Sequence, residues 1–326
     1  MIRFLSFFRR APEPEPEPKP AQASPVSREL LRQVRLIELR TRGLVTSIFS
    51  GEYQSVFRGQ GMEFSEVREY TPGDDVRNID WNVTARSGEP HVKKHVEERE
   101  LTVLLIVDLS GSEQFGTRGR FKAELAAEIA AVLALCAVRN NDRVGLLIFT
   151  DQIEHVVPPR KGRRHVLRLI RDLLAFRPQG RGTDIPGALD YAARLLPHRG
   201  ILFLLSDFAA RADATDADRA RWEKTLRLVS RRHDVVGVSI ADPAELDLPD
   251  LGMLAIEDPE SGELEYVNTS GDGVRAAFGA LLARERLETR RLFRRLGVDE
   301  IEVRTDQAYV RPLLAFFRRR ERSRVR

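Results

Sequence analysis

L-T-V-L-L-I-V-D-L-S-G-S, residues Leu101–Ser112, is the stretch whose reading decides the fold of this chain. Leu101–Val107 is apolar apart from Thr102 and shows no polar alternation, which predicts a strand buried on both faces of a parallel sheet. The run stops at Asp108, and Ser110 and Ser112 follow at every second position. Gly111 and Gly116 loosen the backbone, and a helical pattern resumes at Arg120. Strand, polar loop and helix in that order place a site at the carboxyl edge of an open α/β sheet. One carboxylate and two hydroxyls, all oxygen, suit a hard cation.

Downstream, the same grammar repeats. Phe121, Leu125, Ile129, Val132, Leu133 and Cys136 mark one helix face ending near Arg139. Val144–Phe149 and Ile153–Val157, joined at Asp151-Gln152, predict an antiparallel hairpin. After Gly162 comes a helix with Val166, Leu167, Ile170 and Leu173 on one face. Its other face carries Arg160, Lys161, Arg163, Arg164, Arg168 and Arg171, which reads as a solvated or partner-docking face before a phosphate cradle. A Gly-bracketed loop, Pro178–Asp184, opens a short helix over Ile185–Leu196. A second apolar run, Ile201–Leu205, ends in Ser206-Asp207-Phe208 and copies the first strand.

A helix around Trp222–Arg232, a third buried strand at Val235–Ile240 and a hairpin within 252–268 follow. A helix over Val274–Leu296, a short strand at Glu300–Val303 and a helical end with Leu313, Leu314, Phe316 and Phe317 complete the pattern. The fold class expected is α/β: a doubly wound, mostly parallel sheet with helices on both faces, preceded by an irregular β-containing extension.

That extension has its own character. Pro12–Pro20 alternates Pro with Glu and then Lys, a stiff solvated spacer. From Ser27, acting as N-cap, a helix carries Leu30, Leu31, Val34 and Ile37. Phe57–Arg86 predicts short strands and a tight turn at Pro72-Gly73-Asp74, either a scaffold held by ion pairs of Arg77 with neighbouring acids or an exposed docking surface. His91 and His95 have no third ligand in view and read as surface histidines. The division expected is a basic start and linker (1–25), the extension (26–100), the α/β domain (101–317) and an Arg-rich tail (318–326).

The 326 residues carry a formal net charge of +4, but six Arg and one Glu in Arg318–Arg326 hold +5 of it and Met1–Pro20 holds +1, leaving −2 between. A nucleic-acid protein carries its basic excess on the folded domain, so nucleic acid is not the expected partner. The single cysteine, Cys136, excludes an intramolecular disulfide and a thiolate zinc cluster and reads as a core thiol. No apolar run approaches the ~18 residues of a membrane span, and Met1–Arg10 is too short in its apolar core for a signal peptide. The expected location is cytoplasmic, with at most a weak membrane-surface contact by the termini.

Asp108, Ser110 and Ser112 at one strand end, Asp207 at another and Thr183 in the glycine loop form the candidate metal set. If the two strands are neighbours, these five meet in one crevice and suit Mg²⁺ or Mn²⁺. If the hydroxyls coordinate directly while the aspartates act through water, the ion stays electron-poor and open to a carboxylate from a binding partner.

In type and order the five residues resemble the metal-ion-dependent adhesion site of von Willebrand factor A-like domains. The stretches G-M-E-F-S-E-V-R-E-Y-T-P-G-D-D-V-R-N-I-D-W-N-V-T-A-R, V-K-K-H-V-E-E-R-E-L-T-V-L-L-I-V-D-L-S and N-N-D-R-V-G-L-L-I-F-T-D resemble the bacterial domain-of-unknown-function 58 family. The resemblance implies direct coordination by Ser110, Ser112 and Thr183. It also implies a non-enzymatic adaptor working with a MoxR-type AAA+ ATPase in protein assembly or activation. Two alternatives are a phosphatase-like hydrolase with Asp108 as nucleophile and a nucleic-acid binder using the tail. The first lacks the second carboxylate at position 110, and no G-x-x-x-x-G-K-[ST] loop makes the chain an ATPase itself.

Overall fold

The computed structural model describes residues 32, 34–39, 63–72, 74–96, 100–116, 121–209, 215–246, 250–257 and 264–324. The first ten residues, the Pro-Glu spacer, the Ser27 cap and the turn at Ser261-Gly262 lie outside them. Residues 34–39 are helical, and Val34 and Ile37 are buried against the main core.

In the extension, strand β1 (Glu63–Glu69) pairs antiparallel with β2 (His91–Val96). Between them the chain makes one 3₁₀ turn at Val76–Asn78 and then helix α1, Trp81–Ser87. Strands and a turn alone were expected there, and the alternation of apolar and charged residues hid the helix. Its stop signals are nonetheless in the sequence: Asp80 caps it by accepting from the Asn82 and Val83 amides, and Gly88 ends it at φ 81°. The ion pair that closes the turn is Arg68–Asp74, at 2.6 Å, where Arg77 was expected.

The α/β part runs β3 (Thr102–Asp108), α2 (Lys122–Arg139), β4 (Arg143–Phe149), β5 (Ile153–Arg160), α3 (Arg163–Ala175), α4 (Ile185–Leu195) and β6 (Ile201–Ser206). It continues through α5 (Asp216–Arg232), β7 (Asp234–Ala241), the one-turn α6 (Pro243–Leu246), the hairpin β8 (Met253–Glu257) and β9 (Leu264–Asn268), α7 (Asp272–Leu296), β10 (Asp299–Arg304) and α8 (Val310–Arg324). Six of the described strands form one sheet in the order β10-β7-β6-β3-β4-β5, parallel throughout except for the antiparallel edge strand β5. This is the doubly wound, mostly parallel α/β sheet expected.

Both faces of the sheet are covered, which is why its central strands show no polar alternation. Along β3, Val103, Leu105 and Val107 face the core built with α2, α3 and α8, while Leu104 and Ile106 face α4, α5 and α7. The alanine-rich sequence of α2 lets the helix lie close to the sheet, and Cys136 is buried there with its thiol pushed up to about 12 by burial. On the other face, a Cβ at Gly237 of β7 would sit 2.5 Å from the Phe293 ring, so glycine is what lets α7 approach. Among the described residues no helix is long and apolar enough to cross a membrane.

The chain leaves β3 toward β4 and β5 on one side, then returns to build β6, β7 and β10 on the other. The strand order therefore reverses between β3 and β6. In open α/β sheets ligands bind in the crevice outside the carboxyl ends of the strands at that point.

Candidate functional site

Asp108 ends β3 and Asp207 follows the last residue of β6, and these strands are hydrogen-bonded neighbours with Val107 beside Leu205. Asp108 is fully buried; its carboxylate accepts from the Ser110 amide at 2.9 Å and from the Ser206 hydroxyl at 2.8 Å. The Ser110 and Ser112 hydroxyls lie 3.2 Å apart. Asp207 accepts from the Ala209 amide at 3.0 Å and from the Lys122 ammonium at 2.7 Å. Phe208, next in sequence, is held at φ 53°, a left-handed conformation unusual for an aromatic residue.

Thr183 lies in the loop before α4, a loop stitched to both neighbouring strand ends. The Gly111 amide donates to the Arg181 carbonyl at 2.8 Å, and the Asp184 amide to the Thr150 carbonyl at 2.9 Å. The Glu154 carboxylate accepts from the Gln179 and Gly180 amides at 3.0 and 2.7 Å. Gly180 passes so close to Thr150 and Asp151 that a Cβ there would collide with both side chains. Thr183 shares a cavity wall with Phe208 and Ala209, the residues that follow Asp207.

The structure adds three residues that sequence reasoning did not find. Glu113 is fully buried beside Asp108 and Asp207, and one carboxylate oxygen from each of the three lies within 4.8 Å of the others. Its Oε1 accepts from the Asp207 amide at 2.9 Å, while its Oε2 is buried without a hydrogen-bond partner among the described residues. Lys122, the first residue of α2, has a wholly buried side chain and bridges Asp207 to Glu245 of α6, at 2.7 and 2.5 Å. In sequence Lys122 sits at a helix start among charged residues and reads as surface; only the tertiary fold draws it inward. Glu113, one residue after Ser112, reads as a loop glutamate for the same reason.

The electrostatics follow from burial and proximity. Burial, then the neighbouring Asp207 charge, raises the Asp108 carboxyl to about 7. Burial likewise pushes Glu113 well above the ordinary carboxyl range, with Asp207 adding to it. Burial also works against Asp207, but the Lys122 charge and hydrogen bond, the Ala209 amide and the Ser112 hydroxyl together hold it low. Burial opposes the Lys122 ammonium too, and Asp207, Glu113 and Glu245 more than offset it. The pocket thus gathers more carboxylate than its one ammonium can match.

Much of the basic face of α3 is ion-paired: Arg163 meets Glu38, and Arg168 and Arg171 both meet Asp172. Likewise part of the arginine-rich end belongs to α8, where Arg319 and Arg320 reach Asp299 and Asp234.

Comparison with known proteins places these observations in a family. The model of the family described as "Protein of unknown function DUF58" matches residues 66–288. The uncharacterized proteins Mb1516 of Mycobacterium bovis and Rv1480 of Mycobacterium tuberculosis are each 31% identical over 297 residues, covering 90% of this chain and 91% of theirs. Similar solved structures include the protein BatB from Bacteroides thetaiotaomicron, 14% identical with a TM-score of 0.44 over 68% of this chain and 99% of that one. They also include the SpRpn10 VWA domain, 12% identical with a TM-score of 0.36 over 66% of this chain and 93% of that one. A third is the mussel byssus proximal thread matrix protein 1 with a zinc-occupied MIDAS motif, 13% identical with a TM-score of 0.34 over 57% and 47%.

Proposed function

The chain belongs to the DUF58 family, and from that premise we propose that it is a non-enzymatic protein-interaction module that engages its partner through a divalent cation at the β3–β6 switch point. The observation that carries the reading is the buried excess of carboxylate: Asp108, Glu113 and Asp207 gathered within 4.8 Å, with Glu113 Oε2 buried and unpartnered. Ionising such carboxyls in a buried site is costly, which is why Asp108 and Glu113 are pushed up, and a cation at the cluster offsets that cost. The donors on offer are all oxygens, which fits Mg²⁺ or Mn²⁺.

Ser110, Ser112 and Thr183 would hold the ion with Asp108 and Asp207, and Glu113 stands as a further acid at its side. When bound, the ion supplies a Lewis-acidic position for a carboxylate of the partner. Ser206 and the Ser110 amide orient Asp108 by the hydrogen bonds described above, and Lys122 does the same for Asp207. The family resemblance supports a MoxR-type AAA+ ATPase as the partner class, with protein assembly or activation in the cytoplasm as the setting.

The test is a thermal melt in Mg²⁺, Mn²⁺ or EDTA on wild type and on Ser110→Ala combined with Thr183→Ala. A ligand that binds only the folded state raises the melting point according to its affinity. The expected result is a rise of several degrees in millimolar ion for wild type, lost in a double variant that still melts cooperatively. A wild type indifferent to both ions, or a double variant that responds as fully, overturns the metal site.

A further inference from the structure

Two cavities open on either side of Phe208, and they share Ala209, Glu285 and Thr289 in their walls. The one that also takes in Asp207 has a volume of about 450 Å³. It lies over the carboxyl ends of β7 and β10, with α7 as its lid and Phe278, Leu282, Tyr309 and Pro312 giving it apolar walls.

Its charged lining consists of five acids and three arginines. Nearly all of them already have partners. Asp207 and Glu245 are bridged by Lys122. Glu300 accepts from the Ser239 hydroxyl at 2.7 Å, and Glu300 and Glu302 both face Arg290. Arg304 is paired with Asp306 at 2.9 Å. Glu285 lines this cavity and its neighbour. The one cation left over is Arg286: among the described residues it makes neither a hydrogen bond nor an ion pair. Burial pushes its guanidinium down from the ordinary arginine range, yet arginine remains charged in any protein setting.

A half-buried guanidinium with unspent donors, on which the Glu245, Glu302 and Asp207 charges act only from beyond hydrogen-bond reach, offers a fork at the geometry a carboxylate accepts. The field around it depends on the neighbouring site. With the divalent ion absent, the acids outnumber the arginines by two, and Lys122 behind the wall reduces that to one. A dication at Asp207 reverses the sign, so cation and anion each raise the affinity for the other.

We propose that this cavity is a carboxylate subsite and that Arg286 takes an acidic side chain of the partner, beside an apolar neighbour that meets Phe278 and Leu282. The proposal rests on the cation reading above, because the same partner segment gives its other carboxylate to the ion. A peptide is the occupant because the cavity runs continuously from Asp207 and its walls are apolar, which suits a chain with mixed acidic and apolar residues more than a free dianion.

The experiment measures binding of acetyl-Glu-Leu-Glu-amide, and separately of glutarate, to the full chain by calorimetry in Mg²⁺ and in EDTA. Wild type, Arg286→Ala, Arg286→Lys and the exposed control Arg291→Ala are compared, with melts in Mg²⁺ run on each. The expected result is peptide binding in Mg²⁺ that Arg286→Ala weakens at least about tenfold. Arg286→Lys weakens it less, Arg291→Ala leaves it alone, and every variant keeps the Mg²⁺ response of its melt. Peptide binding unchanged in Arg286→Ala, or absent under both conditions, overturns the subsite. Glutarate binding as tightly as the peptide, and equally dependent on Arg286, overturns the peptide as occupant. If the melts ignore Mg²⁺ while peptide binding still depends on Arg286, the subsite stands and the cation reading falls.

Discussion

The two edges of the central sheet are built from the same kinds of charged residue and settle them in opposite ways. At the amino edge, Arg320 of α8 reaches across the starts of two strands. It meets Asp234 of β7 through both terminal nitrogens, at 2.9 and 2.5 Å, and Asp299 of β10 at 2.5 Å. Asp142 caps the start of β3 by accepting from the Leu101 amide, and His233 accepts from the Gly200 amide at 3.3 Å. Charges there are paired, met by a backbone amide or, at His233, kept neutral. At the carboxyl edge, three buried carboxylates share one ammonium, and a Glu113 oxygen is left over. A fold that pairs its charges at one edge has the means to pair them at the other. The imbalance at the β3–β6 end therefore marks a site for something that is not part of the chain.

The largest effect expected comes from removing the one cation at the unbalanced edge. Lys122→Met leaves Asp207 and Glu245 unpaired next to Asp108 and Glu113, and should cost about 3–5 kcal/mol of stability. Chemical denaturation of the metal-free protein measures it, and a loss below about 1 kcal/mol, the range of a surface pair, would break the contrast between the edges.

The next test is a pH ramp, in which the edges should tilt in opposite directions. Burial, then the Arg232 and Arg199 charges, lowers His233 from 6.5 to about 4. Between those values the unfolded chain binds more protons than the folded one, so this contribution is complete above pH 6.5 and lost as pH falls toward 4, up to about 3 kcal/mol. Asp108, raised to about 7, does the reverse: the folded state holds its proton where the unfolded chain has released it, so stability falls as pH rises from the ordinary carboxyl range to about 7. In EDTA, His233→Leu should remove the acid-side loss, with denaturation midpoints at several pH values as the readout.

A smaller loss, about 2 kcal/mol, is expected for Arg320→Ala, which leaves the Asp234 carboxylate with no counter-ion from α8. It should leave any Mg²⁺ response of the melting point untouched, since it lies at the opposite end of the strands. A changed response would mean that the two edges are coupled.

The difference between the edges also marks what could be read without a structure. The apolar runs Leu101–Val107 and Ile201–Leu205 gave away a doubly covered parallel sheet, because burial on both faces leaves no room for polar alternation. Two strand ends with an aspartate each then pointed to the switch point. Glu113, Lys122 and Glu245 were not legible: each is a charged residue in a loop or first helical turn, where exposure is the ordinary expectation, and only long-range packing buries Glu113 and Lys122 and brings Glu245 to them. Helix α1 was missed for a different reason. It is seven residues long and none of its residues is buried, so its caps, Asp80 and Gly88, carry its signal more than any apolar stripe.

The last prediction runs against the usual direction of mutation. Asp108→Asn keeps the shape of the side chain and can still meet the Ser110 amide and, with the hydroxyl turned, Ser206. It removes a buried charge that Asp207 opposes. In EDTA at neutral pH the variant should therefore be more stable than wild type, by about 1 kcal/mol, while losing its response to Mg²⁺. A gain of stability joined to a loss of ion response is the signature of a charge kept for binding and not for folding. If Asp108→Asn instead weakens the fold in EDTA, the Asp108 carboxylate is a structural hydrogen-bond acceptor of the same kind as Asp142, and the two edges of the sheet are alike after all.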